Sequence, residues 1–223
     1  MRPGPLPPPS ASIQQAPLPI IEINQAWYRS HLIGEPPTRR STKHAGPRWR
    51  FDDPDGVYTV LYVASDPEGA FVETFGQLMA APQDLPRSIT SHILASRALT
   101  EMHPGQALRL VDITGAGLAR IGADSRLFAG DHEHARPWSK ALHDHPAGVD
   151  GILYPTRHDP TRKAAAVFNG TELRWSTLSQ TRWLDMGIQL RDILNQYGFA
   201  LIESKLTSDP PRKRPQQERF PGW

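Results

Sequence analysis

The 223-residue chain contains no cysteine. Without a thiol, disulfide-bonded scaffolds, thiolate metal sites and cysteine nucleophiles are excluded. No apolar run approaches the ~20 residues that cross a bilayer, and the N-terminal stretch lacks the continuous apolar core of a signal peptide. GxGxxG, GxxxxGK[ST] and GxSxG motifs are also missing, so no Rossmann site, P-loop or hydrolase elbow is expected. These absences predict a soluble, cytoplasmic protein without membrane association.

Proline, by contrast, is abundant, at 23 residues. Seven prolines fall within the first 19 positions and four more follow Asp209. Such stretches adopt polyproline II or disordered conformations and bury little surface. We therefore predict a Pro-rich, disordered segment over residues 1–19 that adds nothing to the core. A folded domain over residues 20–204 and a basic, Pro-rich tail over residues 205–223 follow it.

The net charge of +2 and the pI near 9.0 suggest a nucleic-acid ligand. However, the segment 205–223 alone carries a net charge of +3, so the rest of the chain sums to −1. Tails of this kind are usually solvated. One internal stretch, Arg39–Arg50, holds five basic residues and no acid. It is either a solvated loop or a loop that cradles phosphates.

The strongest local signal is a strand followed by a helix. Val57–Ala64 (VYTVLYVA) is rich in β-branched and aromatic residues and predicts a strand. Asp66 as N-cap and Pro67 at the first helical position predict a helix start, and Phe71 and Phe75 give that helix a buried stripe. Further strands are predicted at Trp27–Arg29, Ile89–Leu99, Ala107–Ile113, Val149–Tyr154, Ala164–Phe168, Glu172–Trp175 and Phe199–Glu203, and helices at Ala135–Asp144 and Asp185–Tyr197. Because strands and helices do not alternate regularly, the fold class is predicted as α+β.

Three groups of residues can carry chemistry. Glu73, on the flank of the predicted helix, is either a solvated glutamate or a carboxylate that stabilises an oxocarbenium ion beside a cleft at Tyr62. Asp150–Arg157 is either a strand that lines a substrate or a strand followed by a turn. Four histidines lie within 14 residues, but their HxH spacing places neighbouring side chains on different helix faces, so no metal site is expected. These histidines are His132, His134, His143 and His145.

Together these pieces resemble the RES domain, the toxin of bacterial Res–Xre toxin–antitoxin pairs. The resemblance rests on short motifs in a fixed order and extends roughly from Ala26 to Glu203. The motifs are Tyr28-Arg29, Gly46-Pro47-Arg48-Trp49, Leu61–Ser65, Ala70–Glu73, Trp138, Asp150–Arg157 and Ala164–Asn169.

The resemblance implies an ADP-ribosyltransferase-like fold with a mixed, strongly bent β-core flanked by short helices. It implies cleavage of the nicotinamide–ribose bond of NAD, which is consumed as a substrate, with no other cofactor. The catalytic residues carried over by position are Glu73, Tyr62 and Arg29. The NAD-binding residues are Arg48, Thr156 and Arg157. An Xre-type helix-turn-helix antitoxin is the implied partner, with DNA contacted only through it, and a homodimer within the toxin–antitoxin complex is expected.

Two motifs depart from the family pattern. Thr156 stands where the family has serine, and Gly46-Pro47-Arg48-Trp49-Arg50 replaces Gly-Gly-Arg-Trp-Asn. Either Arg48 or Arg50 can therefore be the ligand, although the spacing favours Arg48.

Two other functions are compatible with these residues. The first is a protein-modifying ADP-ribosyltransferase, because the acceptor of the ADP-ribosyl group is not encoded in the motifs. The second is a non-catalytic nucleotide- or nucleic-acid-binding module that uses Arg39–Arg50 and the tail, whose affinity for nucleic acid would fall steeply with salt.

Overall fold

The computed structural model describes residues 4–41, 48–80, 86–169 and 174–203. The strands within these ranges are β1 (Ile20–Ile23), β2 (Trp27–Leu32), β3 (Val60–Ala64), β4 (Arg87–Thr90), β5 (Arg97–Pro104), β6 (Leu108–Asp112), β7 (Gly151–Pro155), β8 (Lys163–Phe168), β9 (Trp175–Arg182) and β10 (Phe199–Ile202). The α-helices are α1 (Pro67–Phe75), α2 (Gln77–Ala80), α3 (Ser91–Ala95), α4 (Ala116–Arg120), α5 (Arg126–Ala129), α6 (His132–His143) and α7 (Ile188–Gln196). Short 3₁₀ helices span Ala11–Gln15 and Trp183–Met186. No helix in these ranges has the length and apolar composition of a membrane span.

Eight strands form one mixed sheet in the order β1-β6-β7-β8-β3-β2-β5-β9. Its neighbouring strands are antiparallel except β6 and β7, which run parallel. A second, two-stranded sheet pairs β10 with β4 in parallel. Strands and helices follow one another without a regular βαβ repeat, so the predicted α+β class is confirmed.

The large sheet is nearly divided between β2 and β3. These two strands share a single paired position, Tyr28 opposite Ala64, whereas β3 pairs with β8 at five positions and β2 with β5 at six. At its other end, β3 is bonded by a loop residue instead. The amide of Ser41 donates to the carbonyl of Val60, and its hydroxyl accepts from the Val60 amide, both at 2.9 Å. The two halves of the sheet therefore diverge beyond the Tyr28–Ala64 pair. The main chain at Ser41 lies in the divide, which is the gap between β2 and β3.

The β3–α1 unit forms as its sequence predicts. All five residues of β3 are buried. The Asp66 carboxylate caps α1 by accepting the Gly69 amide at 2.6 Å, and Pro67 occupies the first helical position. Phe71 and Phe75 pack in the core behind the helix. This geometry leaves Glu73 on the flank of α1 that faces the middle of the sheet.

The prediction of one continuous strand over Ile89–Leu99 is wrong, because the middle of this segment is helical. The chain forms the end of β4, then α3, and then the start of β5. The side chain of Thr90 accepts the Ile93 amide at 3.4 Å and so caps α3. A capping threonine favours a helix turn over a continuous strand, even where the flanking residues have high strand propensity.

The N-terminal segment also differs from its prediction, because residues 4–19 pack against the domain. Leu6 and Ile13 are buried in the same core cluster as Trp138 of α6. The Trp138 indole donates to the Pro7 carbonyl at 2.9 Å, and the Gln14 amide donates to the Ala141 carbonyl at 2.8 Å. Extended chain without internal hydrogen bonds leaves its carbonyls free to accept from helix side chains. The predicted tail, 205–223, lies outside the described residues.

We predict that Ile13 stabilises the domain. Ile13→Ala should lower the free energy of unfolding by about 2 kcal/mol, because the methyl groups leave an unfilled space in the core. Gln15→Ala, on the exposed side of the same 3₁₀ helix, is the matched control and should change little. Urea unfolding of the two variants measures the difference, and equal midpoints would show that the segment does not stabilise the domain.

Candidate active site

An open cleft of about 700 Å³ lies over the middle of the large sheet. Tyr62 of β3 and Tyr154 of β7 form its floor, and α1, α5, α6, the loop before β3 and the turn after β7 surround it. The lining residues are Trp49, Arg50, Tyr62, Val72, Glu73, Thr74, Gly76, Gln77, Phe128, His132, Tyr154, Arg157 and His158. Its mixture of aromatic, cationic and acidic side chains is typical of a small-molecule site.

Glu73 is the acid that faces this cleft. Its Oε2 accepts a hydrogen bond from the Tyr154 hydroxyl at 2.9 Å. Burial raises the pKa of Glu73 to about 7, against the opposing effects of Tyr154, the Arg50 charge and a bond from the Arg157 amide. A carboxylate in this environment is strongly attracted to a developing positive charge, because little water screens it.

Tyr62 organises the loop that forms one end of the cleft. Its hydroxyl donates to Asp52 Oδ1 and accepts the Phe51 amide, both at 3.0 Å. Asp52 Oδ2 in turn accepts the amides of Arg48 and Trp49 at 2.9 Å each. Burial raises the pKa of Tyr62 well above its ordinary value, so the phenol stays neutral. Tyr62 thus combines an aromatic face in the cleft with a structural hydroxyl.

The loop directs Arg50, rather than Arg48, into the cleft. Arg50 is buried, lines the cleft and donates from Nη1 to the Gly130 carbonyl at 2.7 Å. The side chain of Arg48 is exposed, and only its main chain contributes, through its amide and carbonyl. Gly46 and Pro47, which precede it in the motif, lie outside the described residues. Of the two alternatives that the sequence left open, Arg50 is the one that the cleft contains.

Arg29 projects from the other face of the sheet. Tyr28 pairs with Ala64 and shares its face with Tyr62, so alternation along β2 places Arg29 on the opposite face. Arg29 is buried, and its Nε and Nη1 have no hydrogen-bond partner among the described residues. Burial lowers the pKa of Arg29 to about 10, so it remains charged at neutral pH. It lies on β2, beside the divide between the two halves of the sheet, and is not among the residues that line the cleft.

The two predicted residues after β7 separate. Thr156 is fully buried, and its hydroxyl donates to the Asp159 carbonyl at 2.7 Å, which fixes the turn. Arg157 lines the cleft, and its amide binds Glu73. The structure therefore brings Glu73, Tyr62 and Arg157 together and leaves Arg29, Arg48 and Thr156 outside the lining.

Part of the Asp150–Arg157 motif is structural. The Asp150 carboxylate accepts the Arg109 amide at 2.8 Å, which joins β6 to the start of β7. At Gly151 a Cβ would overlap the carbonyl oxygen of Ala166 on the neighbouring β8. Only glycine allows this close approach. The aspartate and glycine hold the strand, so Tyr154 reaches the cleft floor.

Sequence reasoning missed the histidines of the cleft. His132 and His158 both line it, and burial lowers the pKa of each, helped by the charges of nearby arginines. The cluster of four histidines is the sequence signal for His132, whereas His158 lies outside that cluster and has no such signal. Within the described ranges, no group of three His, Cys, Asp or Glu side chains is placed to hold a metal ion.

Comparisons with known proteins agree with this fold. No curated protein matches the chain in sequence. A chain from the crystal structure of the M. tuberculosis MbcT–MbcA toxin–antitoxin complex has a similar fold, with a TM-score of 0.56 at 14% identity. The match covers 79% of this chain and 92% of that one. The match shows that the two chains share this fold.

The family model of the RES domain matches residues 26–186, which is most of the domain that the structure describes. This range includes the described parts of every motif of the predicted resemblance, which lie on or beside β2, β3, α1, α6, β7 and β8 and in the loop before β3. The chain therefore belongs to the RES domain family.

Proposed function

We propose that this protein degrades NAD by cleaving the bond between nicotinamide and ribose and passing the ADP-ribosyl group to water or phosphate. The observation that carries this proposal is the Glu73 carboxylate, held by Tyr154 in a cleft with an aromatic floor. Membership of the RES family supports the choice of NAD as the substrate.

The chemistry of this bond suits the residues of the cleft. Nicotinamide leaves as a neutral molecule from a cationic ring, so the reaction needs no strong general acid. The ribose develops positive charge as the bond breaks, and a nearby carboxylate stabilises that charge. Glu73 supplies the carboxylate, and the Tyr154 hydroxyl holds it in one orientation. The reaction mainly requires that the site hold the substrate in position and place one negative charge beside the ribose.

Cations on the cleft wall suit the pyrophosphate of NAD. Arg50 and Arg157 both line the cleft, and a guanidinium can donate two parallel hydrogen bonds to phosphate oxygens. Trp49 and Tyr62 offer aromatic faces for the rings. The family resemblance implies Arg48 and Arg157 as NAD-binding residues, whereas the positions of Arg50 and Arg157 in the cleft favour these two for the phosphates.

We further propose that the protein is the toxin of a toxin–antitoxin pair. The structural neighbour is named as part of such a complex, and the RES family supports the same assignment. An Xre-type helix-turn-helix protein is the proposed antitoxin, with DNA contacted only through it. A homodimer within that complex remains a prediction from the resemblance.

Incubation of the purified protein with NAD, with and without phosphate, should release nicotinamide. Mass spectrometry of the products identifies the acceptor as water or phosphate. Intact NAD under both conditions, with the protein folded and cell extract added, would contradict the proposed function. Transfer of label from NAD to a protein band, without free ADP-ribose, would instead indicate a protein-modifying ADP-ribosyltransferase.

Glu73→Gln should reduce turnover at least ~100-fold, because the amide cannot offer the negative charge that stabilises the transition state. Glu68→Gln is the matched control, since Glu68 lies on the same helix outside the cleft lining, near Arg162. Nicotinamide release by each variant at saturating NAD measures the effect. A Glu73→Gln enzyme as active as Glu68→Gln would show that another residue stabilises the charge.

Activity should rise with pH through about 7, the raised pKa of Glu73. Below that pH the carboxyl is protonated and the active fraction falls about tenfold per pH unit. The pH dependence of the turnover number from pH 5 to 9 measures this. A flat profile across neutral pH would contradict the assignment of Glu73 as the ionised group.

The stability of the folded protein should change with pH in the opposite direction to its activity: the contribution of Glu73 should fall as the pH rises. Because the pKa of Glu73 is raised in the folded state, the native protein binds more protons than the unfolded chain between about pH 4.5 and 7. Its contribution to stability is therefore lost as the pH rises through that window. Glu73→Gln cannot ionise, so its melting temperature relative to wild type should increase from pH 5 to pH 8. A constant difference would contradict the raised pKa.

A further inference from the structure

We propose that His132 is the base that accepts the proton of the attacking water in the cleft. This inference rests on the proposed function, because it names the group that activates the acceptor in the same reaction. Glu73 stabilises the ribose, and His132, on a separate helix, lines the same cleft.

A hydrogen bond fixes the tautomer of His132. Its Nδ1 lies 3.2 Å from the carbonyl oxygen of Arg48. A carbonyl only accepts, so Nδ1 carries the proton and Nε2 of the neutral ring keeps its lone pair. The carbonyl is itself fixed, because Asp52 binds the amides of Arg48 and Trp49 in the same loop. Nε2 makes no hydrogen bond within the part of the chain that the structure describes.

The surroundings keep this imidazole neutral. His132 is the first residue of α6, where the helix dipole disfavours a positive charge. Burial lowers its pKa, and the charges of Arg50, Arg136 and Arg157 lower it further, against the opposing effect of the bond to the Arg48 carbonyl. The titratable groups that share the cleft from other elements are Glu73, Tyr62, Tyr154 and His158. A neutral histidine with an open nitrogen is ready to accept a proton at pH 7.

The second histidine of the cleft is less suited to this role. His158 packs its ring against Gly76, where a Cβ would meet it. No hydrogen bond within the described ranges orients its ring nitrogens. A base that works at one position needs an orienting partner, as His132 has in Arg48.

In the proposed step, water displaces nicotinamide from the ribose. An oxygen lone pair of water forms the bond to the anomeric carbon of the ribose. The glycosidic bond breaks, and its electron pair neutralises the pyridinium nitrogen, which releases nicotinamide. One water proton moves to Nε2 of His132 and is later lost to solvent. An anionic nucleophile carries no such proton, so it needs no base.

The experiment compares His132→Asn with His134→Asn in the full-length protein. Asparagine keeps an N–H near the position of Nδ1, so it can still donate to the Arg48 carbonyl, but it has no basic nitrogen at the position of Nε2. His134 is the matched control, because it lies two residues along α6, outside the cleft lining, and pairs with Glu133 at 3.5 Å. Hydrolysis of NAD is measured against pH, with and without sodium azide.

We expect His132→Asn to lower the turnover number at least ~100-fold with KM for NAD within about threefold, as for loss of a general base. Below the lowered pKa of His132 the wild-type turnover should fall about hundredfold per pH unit, because two groups must lose a proton. The variant should keep a tenfold slope. Azide should restore its nicotinamide release to within about tenfold of wild type, with ADP-ribosyl azide as the product.

Three results would overturn the inference. His132→Asn could be as active as His134→Asn, KM could rise with turnover unchanged, or azide could fail to restore a slow variant, which would make the role structural. Failure of the wild type to cleave NAD would overturn the proposed function as well, so the two failures are distinguishable.

Discussion

The cleft depends on the carboxylate of Asp52. This side chain is buried, with only 4% of its surface exposed, and it accepts three hydrogen bonds. They come from the Tyr62 hydroxyl and from the amides of Arg48 and Trp49. A buried carboxylate is tolerated when donors surround it. These bonds attach the loop to the sheet, which places Arg50 in the cleft and the Arg48 carbonyl beside His132.

Glu73 is a half-buried carboxylate with a different balance of partners. It has one hydroxyl and one amide as donors, and the Arg50 Nη1 that could neutralise it is directed to the Gly130 carbonyl instead. Burial raises its pKa to about 7, because these partners offset the loss of hydration only in part. Asp52 accepts three hydrogen bonds and has a structural role. The negative charge of Glu73 is less well compensated, as its raised pKa indicates. The two carboxylates thus obtain different roles from their surroundings.

The sequence predicts the parts of this fold whose signals are local. The strand at Val60–Ala64, the Asp66 cap and the Phe71 stripe lie within 16 residues and are read directly from their order. The positions of Tyr62 on the strand and Glu73 on the helix follow from that unit, because the periods of the strand and the helix determine which side chains share a face. The boundary at Thr90 fails, because one capping bond outweighs strand propensity in the residues around it.

The arginines show why the rest of the site could not be predicted. Motif spacing favoured Arg48, but which of two residues in a loop faces a cleft depends on where the loop is attached. That attachment is made by Asp52, which is four residues after Arg48 and lies outside the motifs on which the resemblance rests. The same limit on prediction applies to Arg29 of β2. The face of the sheet on which its side chain lies depends on the single pairing of Tyr28 with Ala64.

The N-terminal segment extends this argument beyond the family pattern. The family match begins at residue 26, yet Leu6 and Ile13 are buried with Trp138 on α6. Each of the two hydrogen bonds that join them uses a backbone carbonyl, that of Pro7 for the Trp138 indole and that of Ala141 for the Gln14 side chain. Backbone carbonyls are present at every position, so such contacts leave no residue signature. Because α6 begins at His132, a segment outside the family motif supports one wall of the cleft.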